Sequence, residues 1–560
     1  MTEKTLLERG EISAPPDFIF PTLKPEQIAR IRTHGSVRTV QAGEILVEEG
    51  ALTVPFFVVM AGEIGIFRVS GCKNEEIVAV HRPGQFTGEV NMLSGRRALF
   101  QVRVVESGEV IEMDRASLQS LVQTDFELSE ILMRAFILRR VELVAAGMGD
   151  VVLLGSLHNS DTLRIREFLT RNSHPYRYVD LDLDPDVQVL LDRFRVAVTD
   201  VPVVICRGVT VLRNPTNQKI AECLGFNAAI DSTHVRDVVI VGAGPAGLAA
   251  AVYGASEGLD VLVVEATAPG GQAGSSSKIE NYLGFPTGIS GQELASSAYT
   301  QAQKFGAQIA ITRGATRLTC DRKPYAIEVG SDERIPSRVV VIATGAEYRK
   351  LPLENLSQFE GAGVYYGATF VERRLCGGEE VIVVGGGNSA GQAAVFLAQT
   401  ATQVHVVVRS TDLTSRMSRY LIRRIEDNTK ITVHTRTEIV ALEGHGHLEQ
   451  VRLANRDSGT TEALTVRHVF VMTGAAPKTE WLAGCVALDP KGFIKTGTDL
   501  SAEDLSKARW PLPRPPHLLE TSLPGVFAVG DVRCGNVKRV AAAVGEGSIA
   551  ISFVHQVLRE

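Results

Sequence analysis

Twice in this chain a run of branched apolar residues stops at a glycine-spaced turn and continues into small residues. The first unit, RDVVIVGAGPAGLAAAVYGASEGLDVLVVEA from Arg236, carries Gly242-x-Gly244-x-x-Gly247, with Pro245 and Ala246 inside the turn. The second, EEVIVVGGGNSAGQAAVFLAQTATQVHVVVRS, carries Gly385-x-Gly387-x-x-Ala390, with Asn388 and Ser389 between. A strand that turns into a helix in this way aims backbone N–H groups and the positive end of the helix dipole at an anion. The first glycine permits the tight turn, the second lets a pyrophosphate approach the backbone, and the third lets helix and sheet pack closely. Glu265 ends the next strand of the first unit, where an acid accepts from a ribose hydroxyl. The second unit has Arg409 at that place, with Arg416 and Arg419 nearby, and a guanidinium there suits the 2′-phosphate of NADPH. A solvated helix face is the alternative for Arg416 and Arg419. Two dinucleotide sites in one chain imply FAD and a nicotinamide, one donating hydride to the other.

The chain has 560 residues, which suggests three to four domains. Its content of 44% hydrophobic and 22% charged residues excludes wholesale disorder. A net charge of -6 argues against nucleic-acid and polybasic membrane partners. The seven cysteines include no Cys-x-x-Cys and no dense disulfide scaffold. No metal site is expected. The N-terminus shows no basic segment followed by an apolar core, and Val238 to Ala255 is broken by glycines and Pro245, so a cytoplasmic, non-membrane protein is expected.

From about Leu23 to Val141, short apolar runs alternate with glycine. FFVVMAGEIGIFRV reads as strand–turn–strand with its turn near Gly62, and EEIVAVHRPGQF as another near Gly84, which predicts a small β-roll or jelly roll. Asp114 to Val144 has apolar residues at helical spacing, with Asp114 as N-cap. Between them GEVNMLSGRRAL sets Glu89, Arg96 and Arg97 on a glycine-flanked turn, a pattern able to grip a ribose hydroxyl and a phosphate. The segment resembles the cyclic nucleotide-binding domain family: Gly43, Gly62 and Gly84 match its roll turns, and Gly88-Glu89-Val90 matches the start of its phosphate-binding cassette. The resemblance implies a domain over 20–145 with Gly88, Glu89, Arg96, Arg97 and Ala98 around a cyclic nucleotide. Arg97-Ala98-Leu99 departs from the family's arginine, small or hydroxylated residue, alanine. The alternative is a roll kept for dimerisation or docking.

Val151 to Gly225 alternates strand and helix as β-α-β-α-β-β-α. It is similar to thioredoxin- and glutaredoxin-like domains, which implies a domain over 150–228 with a cis peptide bond before Pro202. The turn Gly155-Ser156-Leu157-His158-Asn159-Ser160 has no cysteine, so dithiol exchange is excluded. A recognition or spacer module is expected.

The C-terminal half adds Gly270-Gly271-Gln272, Lys278-Ile279-Glu280-Asn281-Tyr282, two strands ending in Thr-Gly turns (Thr344-Gly345 in the first), and Gly530-Asp531 before a helix of small residues. Together with the two glycine units these resemble the low-molecular-weight thioredoxin reductases among the pyridine nucleotide-disulfide oxidoreductases. The resemblance implies a multidomain α/β fold. An FAD domain (236–350 and 475–560) is interrupted by an NADPH domain (351–474) that rotates against it, and the protein is a homodimer. Gly271, Gln272, Asn281 and Asp531 would line the flavin. Lys538-Arg539-Val540 stands where the family has Arg-Gln-Ala, altering the flavin edge. Where the family has Cys-Ala-Thr-Cys, this chain has Gly367-Ala368-Thr369-Phe370, without either sulfur. Reduced flavin then has no internal disulfide to attack. The expected function is electron transfer from NADPH through FAD to an external acceptor such as a small redox protein, with cyclic-nucleotide regulation. Thioredoxin-disulfide reduction through partner thiols and a non-catalytic redox sensor are the alternatives.

Overall fold

The computed structural model describes residues 15–70, 74–156, 159–181, 200–208, 210–227, 229–276, 278–330, 333–368, 373, 376–414, 416–482 and 484–560. The predicted redox-turn residues Leu157 and His158, the second predicted helix of the middle segment, and Thr369 and Phe370 lie outside these residues.

The N-terminal roll is an antiparallel sheet of β1 (Ser36–Val40), β2 (Ile45–Val47), β3 (Phe56–Ser70), β4 (Asn74–His81) and β5 (Gln101–Met113), in the order β1-β5-β3-β4 with β2 on β5. The structure corrects the expected turn at Gly62. β3 runs through it as one 15-residue strand with register shifts from Val59 to Ile64. Gly62 has φ 81°, and a methyl group there would lie 2.4 Å from the Glu106 carbonyl, so the glycine serves a bulge that bends the strand. The cassette forms one short helix, α1 (Asn91–Ser94). The stretch of helical spacing after the roll forms two helices: α2 (Arg115–Thr124), capped by Asp114 as expected, and α3 (Phe126–Ala145), capped by Asp125.

The middle layer orders β6 (Val151–Gly155), β7 (Tyr176–Asp180), β8 (Val203–Cys206) and β9 (Thr210–Arg213) as β7-β6-β8-β9, with α4 (Ser160–Arg171) and α5 (Asn217–Leu224) packed on the sheet. Only the β6–β7 pair is parallel. The Val201–Pro202 bond is cis, as expected.

A seven-stranded sheet anchors the C-terminal half. β10 (Arg236–Val241) lies between β11 (Val261–Glu265) and β15 (Glu333–Ile342). β12 (Gln308–Ile311) extends one edge, β13 (Ala315–Thr319) and β14 (Tyr325–Val329) the other, and β26 (Val526–Ala528) returns from the chain's end to pair with β15. Side chains alternate across β10, so Val238 and Ile240 face one core cluster and Val239 and Val241 another. With both faces covered, the strand is apolar throughout. α6 (Pro245–Ser256), α8 (Gly291–Lys304) and α11 (Val540–Val557) pack on the first face. α11 has the length and composition of a membrane span, yet it packs along α6, with Gly547 so close that a methyl group would stand 2.2 Å from the Ala246 carbonyl.

A second sheet, all parallel, orders β17 (Val364–Tyr365), β24 (His468–Val471), β18 (Glu380–Val384), β19 (Gln403–Val407) and β20 (Ile431–His434). Beneath it lies the antiparallel sheet β21 (Thr437–Glu443), β22 (Gln450–Asn455) and β23 (Thr461–Leu464). The chain enters and leaves through an antiparallel pair, β16 (Ala346–Tyr348) and β25 (Ala475–Pro477). A disulfide that spacing did not suggest joins Cys320 to Cys485, 165 residues apart.

Candidate functional site

At the carboxyl end of β10 the chain turns through Gly242, whose φ is 106°, and enters α6 with Gly244 as N-cap and Pro245 at the first helical position. Gly242 and Gly247 are required by the protein's own packing: a methyl group would lie 2.4 Å from the Ala343 carbonyl at one and 1.9 Å from the Gly242 carbonyl at the other. Gly244 is different. Its φ of -72° suits any residue, and a methyl group would come no nearer than 3.8 Å to Gly271 Cα. The room above it is what a pyrophosphate on the helix N-terminus needs. Glu265 faces this turn and accepts from the Ala243 N–H at 2.7 Å and the Thr267 N–H at 2.9 Å.

Two further turns converge on the same helix end. Gly270 and Gly271, both at positive φ, start α7 (Gly271–Gly274), and Gly271 approaches Gly244 so that a methyl group would sit 3.0 Å from its Cα. The Gln272 side-chain amide donates to the Ala346 carbonyl. Gly530, φ 73°, places the Gly530-Asp531 turn against Ala246. Burial pushes the Asp531 carboxyl up, and Lys538, 3.6 Å away, opposes that shift. Arg539 is the N-cap of α11 and Val540 its first residue. Thr344 Oγ1 donates to the Lys478 carbonyl beside Gly345, and Asn281 is exposed.

The second unit repeats the geometry. After β18, Gly385 has φ 142° and is closed in by the Met472 carbonyl, 2.4 Å from a methyl position. Gly387 caps α9 (Asn388–Leu397), and nothing comes closer to its methyl position than the Arg416 carbonyl at 4.0 Å. Here too neither φ (-102°) nor packing demands glycine, and an approaching ligand does. Asn388 Oδ1 accepts from the Ser418 N–H, fixing the segment that leads into α10 (Arg419–Glu426), while Ala390 is buried under the turn. Ser389, Arg409, Arg416 and Arg419 are exposed, and the three arginines have no ion pair among the described residues. Val408 and Ser410 flank Gly386, so Arg409 lies at the rim of the turn.

The roll does not assemble as its sequence suggests. A cavity opens beside Gly88 and Glu89 and reaches Ala98. Arg96, however, leaves it and donates to the Asn172 carbonyl and the Tyr299 hydroxyl, both at 3.1 Å, beneath the Phe226 ring. Arg97 donates to the Gly50 carbonyl and lies against Gly225. Both guanidiniums, expected on a phosphate, are held at the seam with the middle layer. Glu89 faces Arg140 at 3.5 Å.

Residues 236–547 match the family model described as Pyridine nucleotide-disulphide oxidoreductase, and residues 37–125 match that of the Cyclic nucleotide-binding domain. The chain belongs to the pyridine nucleotide-disulphide oxidoreductases. It is 32% identical over 327 residues to the thioredoxin reductase of Bacillus subtilis, covering 58% of this chain and 96% of that protein. With the thioredoxin reductase of Mycolicibacterium smegmatis it shares 34% identity over 325 residues, 57% of this chain and 95% of the relative. Among solved structures, the thioredoxin reductases of Lactococcus lactis and T. acidophilum superpose with TM-scores of 0.52 and 0.51 at 27% and 28% identity. Each alignment covers 58% of this chain, with 100% and 99% of the respective neighbour. The C-terminal half is therefore an FAD-dependent NADPH oxidoreductase unit of the thioredoxin reductase type, and the N-terminal segment is a cyclic nucleotide-binding domain.

Two residues of this oxidoreductase site escaped the sequence reading. Glu546, in α11, accepts from the Gly530 N–H (2.7 Å), Arg533 (2.7 Å) and Asn536 Nδ2 (3.0 Å), holding the Gly530-Asp531 turn. A lone acid among small residues was its signal. Arg171, from the middle layer, donates to the Gly271 carbonyl at 3.0 Å, which no local pattern reveals. Cys534, close by, donates weakly to Asp489, and burial pushes its thiol up, so it is a poor nucleophile.

Proposed function

We propose that the chain passes electrons from NADPH to an acceptor outside itself, and that the acceptor's own sulfurs or another oxidised group take the place of an internal dithiol. The observation that carries this reading is the coexistence of two glycine cradles, each with one glycine that only a ligand requires, and a sequence without Cys-x-x-Cys. The relatives are named for reducing thioredoxin; Gly367 and Phe370 occupy the positions aligned with their sulfurs in our reading. FAD and NADPH bound in the two cradles supply the hydride transfer. The chain's residues bind and orient: the α6 and α9 N-termini neutralise the pyrophosphates, Arg409 and Arg416 pair with the 2′-phosphate, and Asp531 and Gln272 fix the flavin side.

The same reading makes 351–474 a unit inserted in the FAD domain and the protein a cytoplasmic homodimer. The strand order β7-β6-β8-β9 supports a thioredoxin-like middle layer that recognises rather than reduces. The roll is the regulatory module, with a cyclic nucleotide as the first ligand to test.

Anaerobic stopped-flow reduction of the flavin tests the core of this. NADPH is expected to bleach the flavin, with NADH weaker. Arg409→Ala should raise the NADPH concentration for half-maximal rate about tenfold or more, a loss of roughly 1.5–3 kcal/mol, and leave NADH unchanged. A flavin that stays oxidised under excess NADPH overturns the reading.

A further inference from the structure

The cavity of the roll is walled by hydrocarbon. Ile66 and Val78 come from β3 and β4, Leu99 and Phe100 from the segment before β5, Met92 from α1 and Leu143 from α3. Of its polar lining groups, Thr87 is satisfied by the Phe57 backbone, and Asn91 by Arg140 and the Arg97 carbonyl. Glu89 faces Arg140 at 3.5 Å, yet its Oε2 is buried without a hydrogen-bond partner. The cation of the lining is Arg139. Among the described residues it is the only arginine or lysine in the lining, and it is 5% exposed. Its Nε and Nη1 donate to the carbonyls of Ile19 (2.9 Å) and Gly88 (2.8 Å), while Nη2 is buried without a partner. Beside it His81, 2% exposed, leaves Nδ1 unpartnered.

We propose that this cavity binds a monocarboxylate with an apolar body, its carboxylate on Arg139 and its hydrocarbon against the wall formed by Ile66, Val78 and Leu99. Glu89 is close enough to act on Arg139 but makes it no hydrogen bond and also faces Arg140, so the buried Nη2 N–H stays unsatisfied, and a ligand carboxylate satisfies it through a charge-assisted bond. Burial has pulled the Arg139 guanidinium down to about 9 against the opposing pull of Glu89, a cost an incoming anion reduces. A cyclic nucleotide fits this lining less well. Its phosphate finds neither Arg96 nor Arg97, and its base would set polar atoms against hydrocarbon without partners. Because Gly88 accepts from Arg139 and opens the cassette that carries Arg96, a ligand here bears on the seam with the rest of the molecule.

Isothermal titration of the full-length, FAD-loaded protein with butyrate, octanoate and phenylacetate, and separately with cyclic AMP and cyclic GMP, tests this without reference to electron transfer. At least one carboxylate is expected to bind, with octanol about tenfold or more weaker than octanoate where octanoate is the ligand. Arg139→Met should weaken carboxylate binding by about tenfold or more while the flavin content stays unchanged. Should that variant fail to fold, Ala79→Leu, which fills the cavity from β4 and leaves the cation in place, should abolish binding. Absence of heat with all three carboxylates, affinity indifferent to both substitutions, or tight cyclic-nucleotide binding lost on Arg97→Ala each overturns the proposal. None of these outcomes touches flavin reduction by NADPH.

Discussion

Glu546 collects donors from three residues on one carboxylate, and all three belong to the segment that carries Asp531. Its side chain is 14% exposed and that of Arg533 18%, so solvent screens the pair only in part. Losing one partner leaves the other desolvated, which costs more than an exposed pair returns. Glu546→Gln keeps the shape and removes the charge. The Gly530 turn loosens, and the expected result is a folded protein whose FAD affinity falls about tenfold, or roughly 1–2 kcal/mol. The flavin-to-protein absorbance ratio after exhaustive dialysis reports it; an unchanged ratio would show that the turn is held by its packing against Ala246 alone.

At the scale of elements, the roll and the middle layer each bury one neutral histidine. His81 ends β4 with its ring tilted against Phe20, and His174 follows α4 with its Nε2 2.9 Å from Asp150. Burial depresses both, with Arg139 adding to the effect at His81 and Asp150 partly offsetting it at His174. In the unfolded chain both titrate near 6.5. As pH falls below that value the unfolded chain takes up protons that the folded chain refuses, so stability present above about pH 6.5 is lost on acidification. Each histidine contributes at most about 1.4 kcal/mol per pH unit. Thermal unfolding between about pH 7.5 and 5 should show this decline, and His81→Phe should flatten it. Equal slopes in the two proteins would mean that His81 is protonated in the fold.

What the sequence could and could not show divides along the same elements. β10 and β18 were legible because a strand buried on both faces must be apolar throughout, and the turns after them because backbone geometry admits little but glycine. Gly62 misled because a bulge and a turn both need positive φ, and alternation continues through either. The break at Asp125 was hidden because apolar spacing runs across it. Arg96 and Arg97 were visible as residues but not as directions; which side of the cassette they face is settled by Tyr299, Phe226 and Gly225, far along the chain. The Cys320–Cys485 pair spans 165 residues and has no local signature at all.

Across the whole molecule, the seams between layers differ in strength, and that difference says which can move. The roll is fixed by Arg96, 4% exposed and bonded to two other layers, and by Gln123 donating to the Lys304 carbonyl at the end of α8. The unit of β17–β24 meets the loop of Glu280 through Arg424 of α10, the two side chains 2.6 Å apart and 49% and 24% exposed. A pair so wet contributes about 1 kcal/mol or less. In the proposed reorientation of that unit about β16 and β25 it can therefore break and re-form, whereas the buried Arg96 seam is held. Because Glu280 adjoins Asn281 on the loop assigned to the flavin, the pair favours the arrangement that brings α10 over that loop. Glu280→Gln should slow flavin reduction by NADPH about two- to fivefold at low ionic strength, the equivalent of up to roughly 1 kcal/mol. The difference should vanish at about 0.5 M salt, where screening has shortened the reach of charge to roughly 4 Å. Faster reduction in the variant would reverse the assignment, making the contact a latch that holds the two cradles apart.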